Sequence, residues 1–366
     1  MFIKVKELTS FFNSYAPEVL QEDYDNAGLI IGDRNADVKG VLITLDITEE
    51  VIDEALRKNA NFIISHHPVI FGGIKKITTS TTLGKIIYKC IENKISVYAG
   101  HTNLDNIEKG VNAKLCEKLN ILSPRILQPK SNLLSKLVTF VPREYAIKVR
   151  EALFKAGAGQ IGNYDKCSYN TEGVGTFRGS QDSSPFVGNK GDIHFEKETR
   201  IETIFPRYKS RQLINTLIEA HPYEEVAYDI YPVENEWGQV GAGMIGELHE
   251  EVGELDFLKR VKSVFNCPFI KHTRLLHKPV KKIALCGGSG SFLLKDALRE
   301  KADVFISSDF KYHQFFDADD KIVIVDIGHN EAEQYTKEIF YDLLIKNFTS
   351  FAIHLSEVNT NPTNYL

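Results

Sequence analysis

The stretch VLITLDITEEVIDEALRKNANFIISHHP, Val41 to Pro68, decides the fold class. VLITLD (Val41 to Asp46) and NFIIS (Asn61 to Ser65) are apolar runs of strand length. TEEVIDEALRKN between them repeats its apolar residues at helical spacing behind Thr48, a residue suited to capping a helix N-terminus. Strand, helix and strand in this order imply a parallel βαβ unit, covered on both faces. The alternation continues through TLGKIIYKCIENK, ISVYAG ending at Gly100, and GVNAKLCEKLN. It returns late in the chain with KKIALC (Lys281 to Cys286), SFLLKDALREK, ADVFIS (Ala302 to Ser307), KIVIVD (Lys321 to Asp326) and a helix expected from about Glu331 to Asn347. The expected fold is α/β, with two related α/β halves forming one domain.

An internal repeat supports that pairing. ANFIISHH (Ala60 to His67) aligns without a gap with ADVFISSD (Ala302 to Asp309), and VYAGHTNLD aligns with VDIGHNEAE. Gly100-His101 then matches Gly328-His329, and Asp105 matches Glu333. Each half thus ends a strand with Gly-His and places a carboxylate one helical turn further on.

The middle of the chain has a different texture. KLVTFVP (Lys136 to Pro142), REYAIKVREALFKAG, extended segments around KCSYNTEGVGTFRG, ETRIETIFP, SRQLINTLIEAH and EVAYDIYPV read as βαββαβ, a ferredoxin-like insert. GSQDSSPFVGNKGD (Gly179 to Asp192) is expected to be an exposed loop. The expected division is residues 1–130 for the first half, 131–236 for the insert and 237–366 for the second half.

A length of 366 residues agrees with two domains, or with one domain carrying a large insertion. Lys and Arg number 44 against 49 Asp and Glu, a net charge of −5, and 25% of residues are charged against 43% hydrophobic. Those proportions exclude disorder, collagen and coiled coil. With no dense Lys/Arg block, they also argue against nucleic acid as a partner. Apolar runs such as IVIV (Ile322 to Val325) fall far short of the roughly 18 residues of a membrane span. MFIKVKELTSFF lacks the continuous apolar stretch of a signal peptide, so a cytoplasmic location is expected. The five cysteines (Cys90, Cys116, Cys167, Cys267, Cys286) are scattered without a C-x-x-C pair, as expected of reduced structural thiols rather than a disulfide framework or a thiolate zinc site.

The candidate chemistry lies at strand ends. SHHP (Ser65 to Pro68) puts two imidazoles at the carboxyl end of a parallel strand, where open α/β folds bind ligands. Adjacent side chains on a strand point opposite ways, so two ions, one per imidazole, is a natural use of His66 and His67. A buried, hydrogen-bonded His beside a solvated one accounts for the pair taken alone. GHTNLD (Gly100 to Asp105) offers His101 and Asp105 at the next strand end, with Asn103 and Asn106 suited to holding the loop. In GHNEAE (Gly328 to Glu333), His329 and Glu333 are one turn apart on one helix face.

Oxygen and nitrogen donors without thiolate suit zinc, ferrous iron or manganese, and five donors for two ions leave coordination positions open. Asp309, Lys311 and His313 in SSDFKYH are placed to line the same cleft as acid, cation and base. GGSGS (Gly287 to Ser291) reads as a tight strand-to-helix turn or as a phosphate cradle. Asp25 and Asn26 read as a turn, and HPYEE (His221 to Glu225) as a helix end.

Taken in order, DNAGLIIG, SHHPVIF, GHTNLD, GAGMIGEL, CGGSGS, SSDFKYH and GHNEAE resemble the Nif-three-like family, also called GTP cyclohydrolase 1 type 2 homologues. The middle segment resembles the PII-like or CutA-like insertion of its longer bacterial members. The resemblance implies a dinuclear site on His66, His67, Asp105, His329 and Glu333, with zinc the foremost metal, in a ring-shaped homohexamer. Two departures, Asn330 after His329 and Met244 in place of a cation, leave that donor set intact. Two functional readings follow. One is a metal-dependent hydrolase acting on a nucleotide or related small molecule, with His101 or His313 moving protons; the other is a metal-bound regulator or scaffold whose insert senses a ligand or partner.

Overall fold

The computed structural model describes residues 3–364 and 366 and is a mixed α/β structure built on several sheets. By contact density it divides into two compact units, one made of Met1–Gln128 with Gln239–Leu366 and the other of Pro129–Gly238.

In the first unit, strands β1 (Gly28–Ile31), β2 (Gly40–Thr44), β3 (Phe62–Ser65) and β4 (Ser96–Ala99) belong to one sheet, in which β2, β3 and β4 run parallel and β1 pairs antiparallel with β4. The crossover between β2 and β3 is the helix Glu49–Arg57, capped by Thr48, whose hydroxyl accepts the Val51 amide at 3.3 Å. Its Val51, Ile52 and Ala55 are fully buried among sheet residues Leu42, Ile63 and Val97. Burying each such aliphatic side chain stabilises the fold by about 1.5–3 kcal/mol, and this packing rather than helix propensity holds the crossover in place. Register then fixes the site edge: Thr44 pairs with Ser65 and Ser65 with Ala99, so the residues after all three strands emerge together.

After β5 (Leu122–Lys130), the second unit holds β6 (Leu134–Pro142), helix Ala146–Lys155, β7 (Tyr169–Arg178), β8 (Ile193–Pro206), helix Ser210–Ala220 and β9 (Tyr228–Val233). Its sheet has the order β7-β8-β6-β9 with antiparallel pairs throughout, and Val149, Leu153, Leu213 and Leu217 of the helices close the core over Leu137, Val141, Ile201 and Phe205. Gly179 to Asp192 forms the connection between β7 and β8 and is largely exposed.

The chain returns to the first unit along β10 (Trp237–Gly253) and helix Glu254–Val264. With β11 (Lys271–His272), β12 (Pro279–Ser289), β13 (Val304–Ser308) and β14 (Val323–Asp326) it completes a sheet of order β11-β14-β13-β12-β10-β5, in which β12, β13 and β14 are parallel. β15 (Ala352–Leu355) adds to β2 in the first sheet.

One expected element differs. The helix anticipated from Glu331 to Asn347 is two helices, His329–Glu333 and Thr336–Asn347. The side chains between them are held elsewhere: the Gln334 amide donates to Phe265 O at 2.7 Å and the Tyr335 hydroxyl to Val264 O. The five cysteines are free, four of them buried.

Candidate metal centre

The strand ends of the two sheets supply the donors. His66 and His67 follow β3, His101 follows β4, and Asp105 lies on the single helical turn Thr102–Asp105. His329 and Glu333 begin and end the short helix after β14, entered through Gly328 at φ +88°, a left-handed conformation that glycine adopts without strain.

In all four imidazoles Nδ1 faces an oxygen that can only accept: His66 the Gly100 carbonyl at 2.9 Å, His67 the Asp46 carboxylate at 2.7 Å, His101 the Asp25 carboxylate at 2.7 Å and His329 the Asp309 carboxylate at 2.6 Å. Each Nδ1 therefore carries the proton, and a neutral ring keeps its lone pair on Nε2. Those Nε2 atoms converge. His67 Nε2 and His329 Nε2 are 3.3 Å apart and lie 2.9 and 3.0 Å from Glu333 Oε2. His66 Nε2 lies 3.6 Å from Glu333 Oε1 and 3.7 Å from Asp105 Oδ1.

Despite that proximity, His66 Nε2, Asp105 Oδ1 and Glu333 Oε2 are buried with no hydrogen-bond partner among the described residues. Glu333 Oε2 has neighbours at close range but not at hydrogen-bonding angles. A buried polar atom left without a partner costs about 1–3 kcal/mol, so three of them within one His/carboxylate cluster fit a place for metal ions. Two overlapping groups, His67–His329–Glu333 and His66–His67–His101, have donor atoms all within 4.8 Å of one another and could hold a metal ion.

Electrostatics fit that use. Burial works against charge on His67, yet hydrogen bonding to Asp46 and the negative charge of Glu333 prevail and raise its pKa to about 9. The same opposition of burial by Asp309 and Glu333 raises His329 to about 10. Burial would raise Glu333, but the charge of His66 and the contacts from His329, His66 and His67 hold it well below the usual carboxylate range. For Asp105 burial dominates, against the pull of His66, and its pKa rises towards about 7. Asp25 is also penalised by burial, but its hydrogen bonds from His101 and Thr102 win and lower it to about 2.

All five residues expected to bind metal and His101 come together. His313 does not: it sits exposed on the 3₁₀ segment Tyr312–Ala318, its ring against Tyr312 and Phe316 at 5.2 and 6.3 Å. Asp309 lines the cavity beside the cluster as expected, and its carboxylate also holds His329. In GGSGS, Gly287 to Ser289 end strand β12 and Ser291 opens a 3₁₀ segment, with Gly287 N bonded to Asn112 Oδ1 and Gly290 N to Ser307 Oγ. Gly288, at φ +61°, backs directly onto the cluster, since a Cβ there would stand 2.2 Å from Glu333 Oε1. Met244 is buried in the core beside Cys116. Sequence reasoning missed Asp25 and Asp46 as His partners. For Asp46 a signal was present, a carboxylate at the carboxyl end of β2, on the edge where His66 and His67 emerge.

Fold and cluster together define a mixed α/β protein with a buried His/carboxylate group able to take a metal ion. The family model Duf34/NIF3 (NGG1p interacting factor 3) matches residues 3–362, and the chain belongs to that family. It is 39% identical over 360 residues to a GTP cyclohydrolase 1 type 2 homolog of Halalkalibacterium halodurans, covering 97% of each chain. A protein of the same name from Bacillus subtilis is 38% identical, over 99% of this chain and 98% of that one. Among solved structures, a Bacillus cereus protein related to NIF3 superposes with TM-score 0.87 at 39% identity, each chain covered completely.

Proposed function

We propose that the chain binds two divalent cations, zinc foremost, and is a metal-dependent hydrolase acting on a nucleotide or related small molecule, of the kind the relatives' name GTP cyclohydrolase 1 type 2 homolog suggests. The observation that carries this is the posture of Glu333, which turns Oε2 to His67 and His329 and Oε1 to His66. In this reading His67, His329, His66 and Asp105 would hold the cations, with Glu333 shared between them. Two such ions supply Lewis acidity and a water that is acidic near neutral pH. Asp46, Asp309 and Asp25 fix ring orientation and tautomer. His101, anchored through Nδ1 and free at Nε2, is the side chain that moves a proton. A neighbouring cavity of about 380 Å³ lined by His67, Asp309, His329 and Lys271 gives substrate room beside the cluster.

The wider reading keeps two related α/β halves (1–130 and 237–366) interrupted by a ferredoxin-like, PII-like insert (131–236), in a cytoplasmic homohexamer. Support for the two halves and the insert comes from the matching parallel trios β2-β3-β4 and β12-β13-β14 and from the strand order of the second unit. Among the described residues, no helix is long and apolar enough to cross a membrane.

Two variants test the roles. Asp46→Asn keeps the shape but loses the charge behind His67, and metal affinity should fall about 10- to 100-fold, read by competition with a chelator. His101→Ala should keep its metal but lose about 10² to 10⁴ in turnover across a nucleotide panel. A metal-replete wild type inert towards the whole panel would favour the regulator, and metal loss from His101→Ala would make His101 a ligand.

A further inference from the structure

The second unit contains a cavity of about 730 Å³ that owes nothing to the metal centre. Its floor follows from the register of β7. Gly173, Gly175 and Phe177 alternate along the strand and share one face, so two successive positions on that face carry no side chain. Gly173 pairs with Glu198 of β8, and the Glu198 carboxylate leans into the gap so far that a Cβ at Gly175 would stand 2.2 Å from its Oε2.

Glu198 is only 8% exposed. The Tyr223 hydroxyl donates to Glu198 Oε1 at 3.0 Å, while Oε2 accepts no hydrogen bond from the described residues. Tyr223 in turn packs against Phe177 at 5.9 Å and Phe186 at 6.3 Å, forming an aromatic wall. The wall is held in advance of any ligand, because Glu224 accepts the Ser184 amide at 2.7 Å and ties the Gly179–Asp192 loop to the segment after the helix. Four carboxylates and two guanidinium groups line the cavity; Glu172 is paired with Arg143 and Arg200 with Glu202, which leaves Glu198, Glu224 and Glu225 against Arg178.

That charge balance disfavours phosphate. A buried carboxylate opening onto the cavity wants N–H donors, and a side-chain-free strip beside aromatic rings wants a flat molecule. We propose that this cavity binds an unphosphorylated planar heteroaromatic molecule that presents adjacent N–H donors to Glu198. The proposal does not depend on the hydrolase reading, and it supplies the ligand class that the regulatory reading needs.

Guanosine and inosine are suitable probes, because they differ only in the amino group adjacent to the ring N–H. In calorimetric titrations of the full-length protein, guanosine should bind, with inosine at least about tenfold weaker. Glu198→Gln should weaken guanosine by a similar factor, and Gly175→Val should abolish binding by filling the floor. The same titration on chelator-treated protein carrying His66→Ala and His67→Ala separates this site from the metal centre, and guanosine binding should persist there. Absence of guanosine binding to the wild type, equal binding of inosine, or loss of binding in the metal-site variant would each overturn the proposal. The nucleoside comparison uses wild-type protein, so it stands even if a variant fails to fold.

Discussion

Replacing His66 and His67 together with alanine is expected to remove nearly all divalent metal from the purified protein, a loss of affinity of more than about 100-fold. Each of the proposed cation positions loses an imidazole, His67 from one and His66 from the other. The fold should survive, because both residues lie beyond the last paired residue of β3, Ser65, while the sheet core of Leu42, Ile63 and Val97 is untouched. Elemental analysis and circular dichroism read the two halves of this expectation. Stoichiometric metal in a folded double variant would remove the assignment of these residues.

Metal binding should also strengthen steeply with pH. His67 and His329 have pKa values raised to about 9 and about 10, because the carboxylates beside them outweigh burial. In metal-free protein, a raised pKa gives stability that is fully present below the free imidazole value of about 6.5 and is lost as pH climbs through about 9 to 10. A cation needs both rings neutral. Near pH 7 its binding must therefore expel roughly two protons from the imidazoles and a further fraction from Asp105, whose pKa is raised to about 7, and apparent affinity should rise up to about tenfold per released proton per pH unit. Calorimetry at about pH 6 and about pH 8, in buffers of different ionisation enthalpy, measures the protons directly. Affinity independent of pH would mean that His67 and His329 do not give up protons to the metal.

What the sequence made legible was local. Short apolar runs closed by His-His, Gly-His and Gly-His marked three strand ends, and the one-turn spacing of His329 and Glu333 placed both on one face before any coordinates. What it hid was non-local: Asp25 meets His101 from 76 residues away, and Asp46 meets His67 from 21. Nothing in a turn-like DYDNAG announces that its carboxylate will face an imidazole at the end of another strand, because that pairing is set by β1 lying against β4. Asp309 shows the opposite difficulty. Its segment aligns with the His-His stretch, and Asp309, at φ +60°, does line the cavity, but its carboxylate also orients His329, while His313 lies on the exposed 3₁₀ segment that follows.

The sharing of Glu333 between two cations is tested most directly by anomalous diffraction from crystals of metal-loaded wild-type protein, recorded at the absorption edge of the metal identified by elemental analysis. The expected result is two peaks about 3.5–4 Å apart. One should lie about 2.0–2.1 Å from the Nε2 atoms of His67 and His329, the other at similar range from His66 Nε2 and Asp105, with one Glu333 oxygen on each. A single peak held by His66, His67 and His101 with Glu333 on neither side, or full metal loading at some other place in the chain, would contradict it.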